Sequence, residues 1–284
     1  MSLLPELELI VAEWLVQPPL KFKSFIDPDK ISWSWLSSNP NAIHLIEKQL
    51  EKDPIKIDWY ALSHNPNALH LLEKNPDKIN WSGIARNPNA IHLLEKQLED
   101  DMNKINRYWL SRNPNAIRLM EKNPDKIDWD GLSENPNAIH LLEKNPDKIN
   151  WYALVANPNA IHLLEKNPDK INWSGLSCNP NAIHLLEKQL EKNPDKINWY
   201  ELSTNPNAIH LLEKNPDKIH WSGLSSNPNA IHLLEKQLDA PGTINWNGLS
   251  SNPSIFEIDQ EQYKKDLKRA AAPWTLQPSL RFGF

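Results

Sequence analysis

The chain is poor in residues that staple, loosen or chemically arm a protein: one cysteine, seven glycines and six arginines in 284 residues. A single thiol, Cys178, excludes an internal disulfide framework and fits a reducing compartment. The net charge is only -5 and the sequence pI about 6.1, with both signs interspersed, so no global field favours polyanions or an acidic membrane surface. No apolar run reaches membrane-spanning length. The leucine-rich start, LLPELELIVAEWLV, carries three glutamates and no basic flank, which argues against a signal peptide. These readings point to a soluble, non-secreted protein. Gly-rich phosphate loops, HExxH, CxxC and nucleophile-elbow motifs are all missing, which argues against an enzyme and leaves no cofactor or metal to assign.

What is abundant is repetition. NPNA begins at Asn39, Asn65, Asn87, Asn113, Asn135, Asn157, Asn179, Asn205 and Asn227, and a decayed copy, NPSI, at Asn252. A tryptophan column runs through Trp33, Trp59, Trp81, Trp129, Trp151, Trp173, Trp199, Trp221 and Trp246, interrupted where Arg107 stands in the indole's place. These columns define about ten units. Most steps are 22 residues, and the longer ones insert QLEK or a relative after LLEK, about one helical turn.

Each unit contains two helix starts. Asn179 can cap and Pro180 sit at the first helical position, placing Ala182, Ile183, Leu185 and Leu186 on one face of a helix A. NPDK then reads as a turn, and the Asn, Asp or Ser before most tryptophans caps a short helix B, with Trp173 and Leu176 as its expected buried edge. The glycine beside that leucine weakens helix B. Helices this short are unstable alone, so each unit must bury its apolar face against its neighbours, as in an all-α solenoid.

Adjacent units are inequivalent. Tyr60, Tyr108, Tyr152 and Tyr200 follow the first helix B position in even units, whereas Ser or Asp stands there in odd units, which also carry the insertions. The repeat is then a double unit of about 48 residues. Either a double unit was duplicated, or alternate units face one partner.

The expected organisation is an N-terminal cap over 1–32 with Trp14 in a covering helix, a solenoid over 33–258, a capping helix over 259–272 and a non-repeat tail over 273–284. Asp259 and Gln262 suggest a capping box for that helix. On an open array, Trp151→Ala should cost about 3 to 5 kcal/mol and Trp246→Ala should disturb fewer neighbours.

The wording NPNAIHLLEKNPDKINW, followed by LSxNPNAI and closing on NPSIFEID, resembles the Asn-Pro and Trp helical-repeat proteins encoded by giant DNA viruses. The resemblance covers roughly residues 27 to 268. It implies a viral interaction protein, in the host cytoplasm or the virion, acting with other virion or capsid subunits, and it supplies no functional residues.

Departures from the consensus supply the candidates. The histidine column, including His70, His92 and His140, falls on the solvated face, too widely spaced for one zinc. Four of the six arginines lie in adjacent units: Arg86 and Arg112 precede Asn-Pro phrases, Arg107 replaces a tryptophan and Arg118 a histidine. With Tyr108 and Trp109 they combine guanidinium and aromatic groups typical of protein hot spots and of nucleic-acid contacts. Arg86, Arg112 and Arg118 are expected on one patch; alternatively the run is drift, with Trp109 filling the consensus indole's space. The tail, with Trp274, Phe282 and Phe284, reads as an anchor for a partner or for the last unit. The balance favours a non-catalytic protein-interaction scaffold over a nucleic-acid-binding solenoid, because the whole chain is acidic.

Overall fold

The computed structural model describes residues 10, 12–237, 240 and 242–275, without the side chains of 272–275. The chain is an all-α solenoid of two-helix units, with two three-residue strands among the described residues, divided into a compact unit of residues 29–254 and another from the described residues of 1–28 and 255–284. Among the described residues no helix is long and apolar enough to cross a membrane.

In the larger unit the phrase NPNA forms its own turn, and helix A starts at the following isoleucine, as in Ile139–Lys144. This is later than the Asn-Pro signal suggests. Ala182 N–H closes a turn on the Asn179 carbonyl at 3.2 Å, and the first α-type bond runs from Leu186 to Ala182 at 3.0 Å. NPDK forms a single 3-10 turn, for example Pro146–Lys148. Helix B follows, four to six residues long, and outside unit one, where Ser32 makes no such bond, the side chain before it caps it. Even His220 fills that role, its Nδ1 accepting from Gly223 N–H at 3.4 Å.

Three columns are fully buried: the helix B leucine (Leu132, Leu154, Leu176), the NPNA alanine (Ala138, Ala160, Ala182) and the second helix A leucine (Leu142, Leu164, Leu186). Each such leucine contributes roughly 1.5–3 kcal/mol of transfer free energy. The tryptophans are not part of this core. Trp151, Trp173 and Trp246 are half-buried, because they open helix B at its rim while the leucine three residues on faces inward.

Neighbouring units are joined by two polar ladders. The first uses the buried asparagine of each Asn-Pro. Asn157 Nδ2 donates to the carbonyls of Ser133 at 3.0 Å and Asn135 at 2.7 Å, while its Oδ1 accepts Asn159 N–H at 3.0 Å. The second uses the serine of LSxNP. Ser203 Oγ donates to the Trp199 carbonyl at 2.7 Å and accepts His220 N–H of the next unit at 3.0 Å. Ala85 and Val155 stand in that place in units three and six.

Both ladders close on themselves. Asn39 of unit one donates to the carbonyls of Ser250 at 3.0 Å and Asn252 at 2.9 Å, and Ser250 Oγ accepts Ser32 N–H at 3.0 Å. Lys30 lies 5.1 Å over the Trp246 ring, the relation Lys148 has to Trp129 at 4.7 Å within the array. Unit ten therefore contacts unit one as any unit contacts the next, and this unit is a closed ring of ten repeats. Trp246 has neighbours on both sides, which removes the expected difference from Trp151.

The inserted turns leave the ladder untouched. Across the long first step Asn65 bonds to Ser37 and Asn39, 28 and 26 residues back; across the short next step Asn87 bonds to Ser63 and Asn65, 24 and 22 back. The extra residues lengthen helix A to Ile43–Lys52, Ile91–Asp101 and Ile183–Lys192. The inserted glutamine then takes over the C-terminal cap, Gln49 Nε2 donating to the Asp53 carbonyl at 3.0 Å.

The insertions track part of the alternation. Where the step is short, as from unit two to three, four to five and eight to nine, successive B helices pack closely. A Cβ on Gly83 would lie 2.6 Å from the Tyr60 carbonyl, and one on Gly131 would overlap the Tyr108 carbonyl. Across three of the four longer steps the same position holds Ala61, Trp109 and Glu201; the fourth holds Gly248, and the short step from unit five to six holds Ala153. The glycines permit a close approach rather than marking weak helices.

The smaller unit joins both ends of the chain. β1 (Leu20–Phe22) pairs antiparallel with β2 (Phe256–Ile258), Phe22 stacks on Phe256 at 4.9 Å, and Lys21 faces Glu257 at 3.7 Å. The sequence suggested separate caps at opposite ends; the two ends instead share one strand pair. Trp14, expected to cover the core, is 88% exposed. Asp259 caps the last helix through Gln262 N–H at 3.1 Å, but the box is not reciprocal, since Asp259 N–H donates to the Pro19 carbonyl at 2.8 Å and Gln262 turns to Asp266 at 2.9 Å. That helix, Gln260–Thr275, runs through Pro273 rather than stopping at residue 272. A proline one turn from the end forfeits only one helical bond.

Candidate interaction site around Trp109

Helix B of unit four, Arg107–Arg112, reads RYWLSR and is capped by Asn106, whose Oδ1 accepts Trp109 N–H at 3.1 Å. Leu110 fills the core column. Trp109 sits at the third helical position, roughly 200° around the helix from the first, where other units carry their indole. It does not fill the consensus indole's space. Its room comes from the junction beside the long helix A of unit three, where the close junctions into units three, five and nine hold glycine.

Two guanidiniums lie over this indole. The Arg86 guanidinium carbon of unit three is 4.2 Å from the ring centroid and that of Arg112 is 5.3 Å away. Arg112 Nε donates to Glu134 Oε2 of unit five at 2.9 Å, and the Tyr108 hydroxyl donates to Glu134 Oε1 at 2.5 Å. Tyr108 meets Trp109 edge-on at 4.8 Å. The result is one connected cluster across three units. A cleft of about 190 Å³ opens on it, lined by Arg86, Trp109, Arg112, Asn113 and Pro114.

Electrostatics follow the geometry. Burial, then the hydrogen bond and charge of Glu134, push the Tyr108 phenol up to about 12. His64, which precedes the Asn-Pro of unit two, is held below its ordinary value by burial first and by the Arg86 charge second. Cys178 is half-buried; burial and then Glu201 push its thiol up, which lowers its thiolate fraction and its nucleophilicity.

Of the expected arginines, the structure brings Arg86 and Arg112 together with Tyr108 and Trp109. Arg107 is exposed at the start of helix B and Arg118 on helix A of unit four, and neither lines the cleft. Arg118 belongs to the histidine row, so the expected patch holds two of its three arginines. Trp274 lies in the last helix, but its side chain is outside the described residues, as are Phe282 and Phe284.

Two features were missed. Glu134 anchors the cluster; its only signal was its place before an Asn-Pro phrase, directly after Arg86 and Arg112 in that column. The histidines are not merely solvated: His70, His92, His140, His162, His184, His210 and His232 each reach a glutamate of the preceding unit, His70 to Glu47 at 2.9 Å, His92 to Glu73 at 3.1 Å and His184 to Glu165 at 2.9 Å among them. These exposed pairs form a row along the A helices. Among the described residues, no group of three or more His, Cys, Asp or Glu side chains could hold a metal ion. No protein-family model, curated protein or solved structure matches the chain.

Proposed function

We propose that this protein is a non-catalytic protein-interaction scaffold, a virion-associated or assembly component of a giant DNA virus, working in the host cytoplasm or the virion. The observation that carries the reading is the cleft at Trp109. Residues that define the repeat are committed to bonds between units, whereas the departures from it in units three to five assemble a concave, aromatic and cationic site. Tryptophan and arginine in a partly enclosed setting are the residues that dominate protein interfaces. The viral setting rests on the repeat's wording.

Affinity capture from infected cells with the wild-type chain and with Trp109→Ala tests this. Loss of a defined set of proteins from the Trp109→Ala sample is the expected result. An unchanged set of captured proteins would remove Trp109 from the interface. A guanidinium stacked on an indole also suits single-stranded nucleic acid. Filter binding of single-stranded RNA that weakens steeply as salt rises would favour that reading instead.

A further inference from the structure

We propose that the cleft over Trp109 seats one carboxylate side chain, an aspartate or glutamate from an acidic segment of a protein partner; this rests on the partner-binding reading of the same site. Charge sets the class of ligand. Glu134 is the carboxylate of the cluster, and both its oxygens are engaged, one by Arg112 Nε and the other by the Tyr108 hydroxyl. Its side chain is only 14% exposed, so it is withdrawn from the cleft mouth. Arg112 uses its Nε on Glu134, leaving the terminal amino groups of its fork for a second acceptor. Arg86 has no carboxylate within ion-pair distance among the described residues, and it is held over the indole. Counting only the groups in direct contact within the cluster, two guanidiniums against one carboxylate leave about one positive charge to be matched, with Asp128 farther off acting on Tyr108.

Size sets the scale. Small-molecule pockets typically occupy about 300–1,000 Å³, so about 190 Å³ admits a single side chain rather than a cofactor or nucleobase with its sugar. A planar carboxylate matches a guanidinium edge with two parallel charge-assisted bonds. The methylenes behind it would rest on Trp109 and Pro114. One net charge suits a monoanion better than a phosphate dianion, and the chain's overall charge of -5 works against a polyphosphate strand.

The test is fluorescence anisotropy of labelled hexaglutamate, with hexalysine and oligo(dT) as comparisons, on the full chain at low ionic strength. Hexaglutamate should bind, and Arg86→Gln and Trp109→Ala should each weaken it at least about tenfold, whereas Arg118→Gln, an exposed arginine outside the cleft, should leave it unchanged. Matching melting curves for Arg86→Gln and the wild type exclude misfolding as the cause. The proposal fails if hexaglutamate does not bind, if Arg118→Gln weakens it equally, or if oligo(dT) binds more tightly with the same dependence on Arg86. If Trp109→Ala still loses captured proteins while hexaglutamate does not bind, the partner-binding reading stands and the carboxylate is wrong.

Discussion

The side-chain amide of Asn39 donates to the main-chain carbonyl of Asn252 at 2.9 Å, the bond that Asn65 makes to Asn39 at 3.0 Å. Residues 213 apart are thus held as nearest repeat neighbours. Replacing a ladder asparagine by alanine strands two buried carbonyls and the N–H of the residue two positions on. Asn39→Ala and Asn157→Ala should each cost on the order of 3 kcal/mol. In a closed ring the two losses are equal. Denaturant melts in which Asn39→Ala is clearly milder would mean that the first and last units are not joined in solution.

Gly131→Ala should be among the most damaging single-methyl changes. The added carbon meets the Tyr108 backbone, which cannot move without disturbing the Asn-Pro ladder beside it. A cost of about 1–3 kcal/mol is expected from overpacking. Ala61→Gly, across a wide junction, should lose less than about 1 kcal/mol, mostly through helix propensity. Equal melting temperatures for the two variants would contradict the alternation of tight and wide junctions.

Tyr108 should ionise above the ordinary tyrosine value. Its folded value, pushed up to about 12, lies above the ordinary value of 10.0, so the native state holds this proton more tightly than the unfolded chain does. The linked stability is fully present below pH 10 and is lost as pH rises toward 12. Glu134→Gln removes the charge and should bring the phenol down. Ultraviolet difference titration of that variant, showing no downward movement of a late-ionising tyrosine, would detach Glu134 from Tyr108.

His64 moves the opposite way. Its folded value is depressed, so its contribution to stability is present above the ordinary imidazole value of 6.5 and is lost as pH falls through the lower folded value. Burial is the larger cause and persists in Arg86→Gln, so the variant should raise the His64 value part of the way, toward 6.5. Proton NMR titration of the histidine ring signals reads this directly. A shift past 6.5 would mean that burial is outweighed by the Tyr60 carbonyl and Asp58, both of which raise the value.

What was legible in the sequence is what acts within one unit. The Asn and Asp caps before Trp59, Trp129 and Trp151, the proline turns and the Leu and Ala columns all follow from spacings shorter than a helix. Contacts between units were not legible, because the partner of Tyr108, Arg112 or His70 lies a whole repeat away and depends on how far successive helices are offset. Trp109 shows the boundary. Its composition marked it as unusual, but its use by Arg86 required the wider junction beside the helix Ile91–Asp101. Closure was the least visible of all, since it comes from small rotations summed over ten units, with no residue responsible for it.

Closure turns repeat number into an integer constraint. An open array can gain or lose a 22-residue module at the expense of one interface, and slippage during gene replication would be nearly neutral. Here a deletion running from Asn135 through Ala156 would preserve every local bond pattern, yet ask nine units to complete the turn that ten now share. The mismatch must be taken up at every junction or released by opening the Asn39–Asn252 seam. Within such a ring, single residues like Trp109 are free to drift toward new contacts, while the number of units is not.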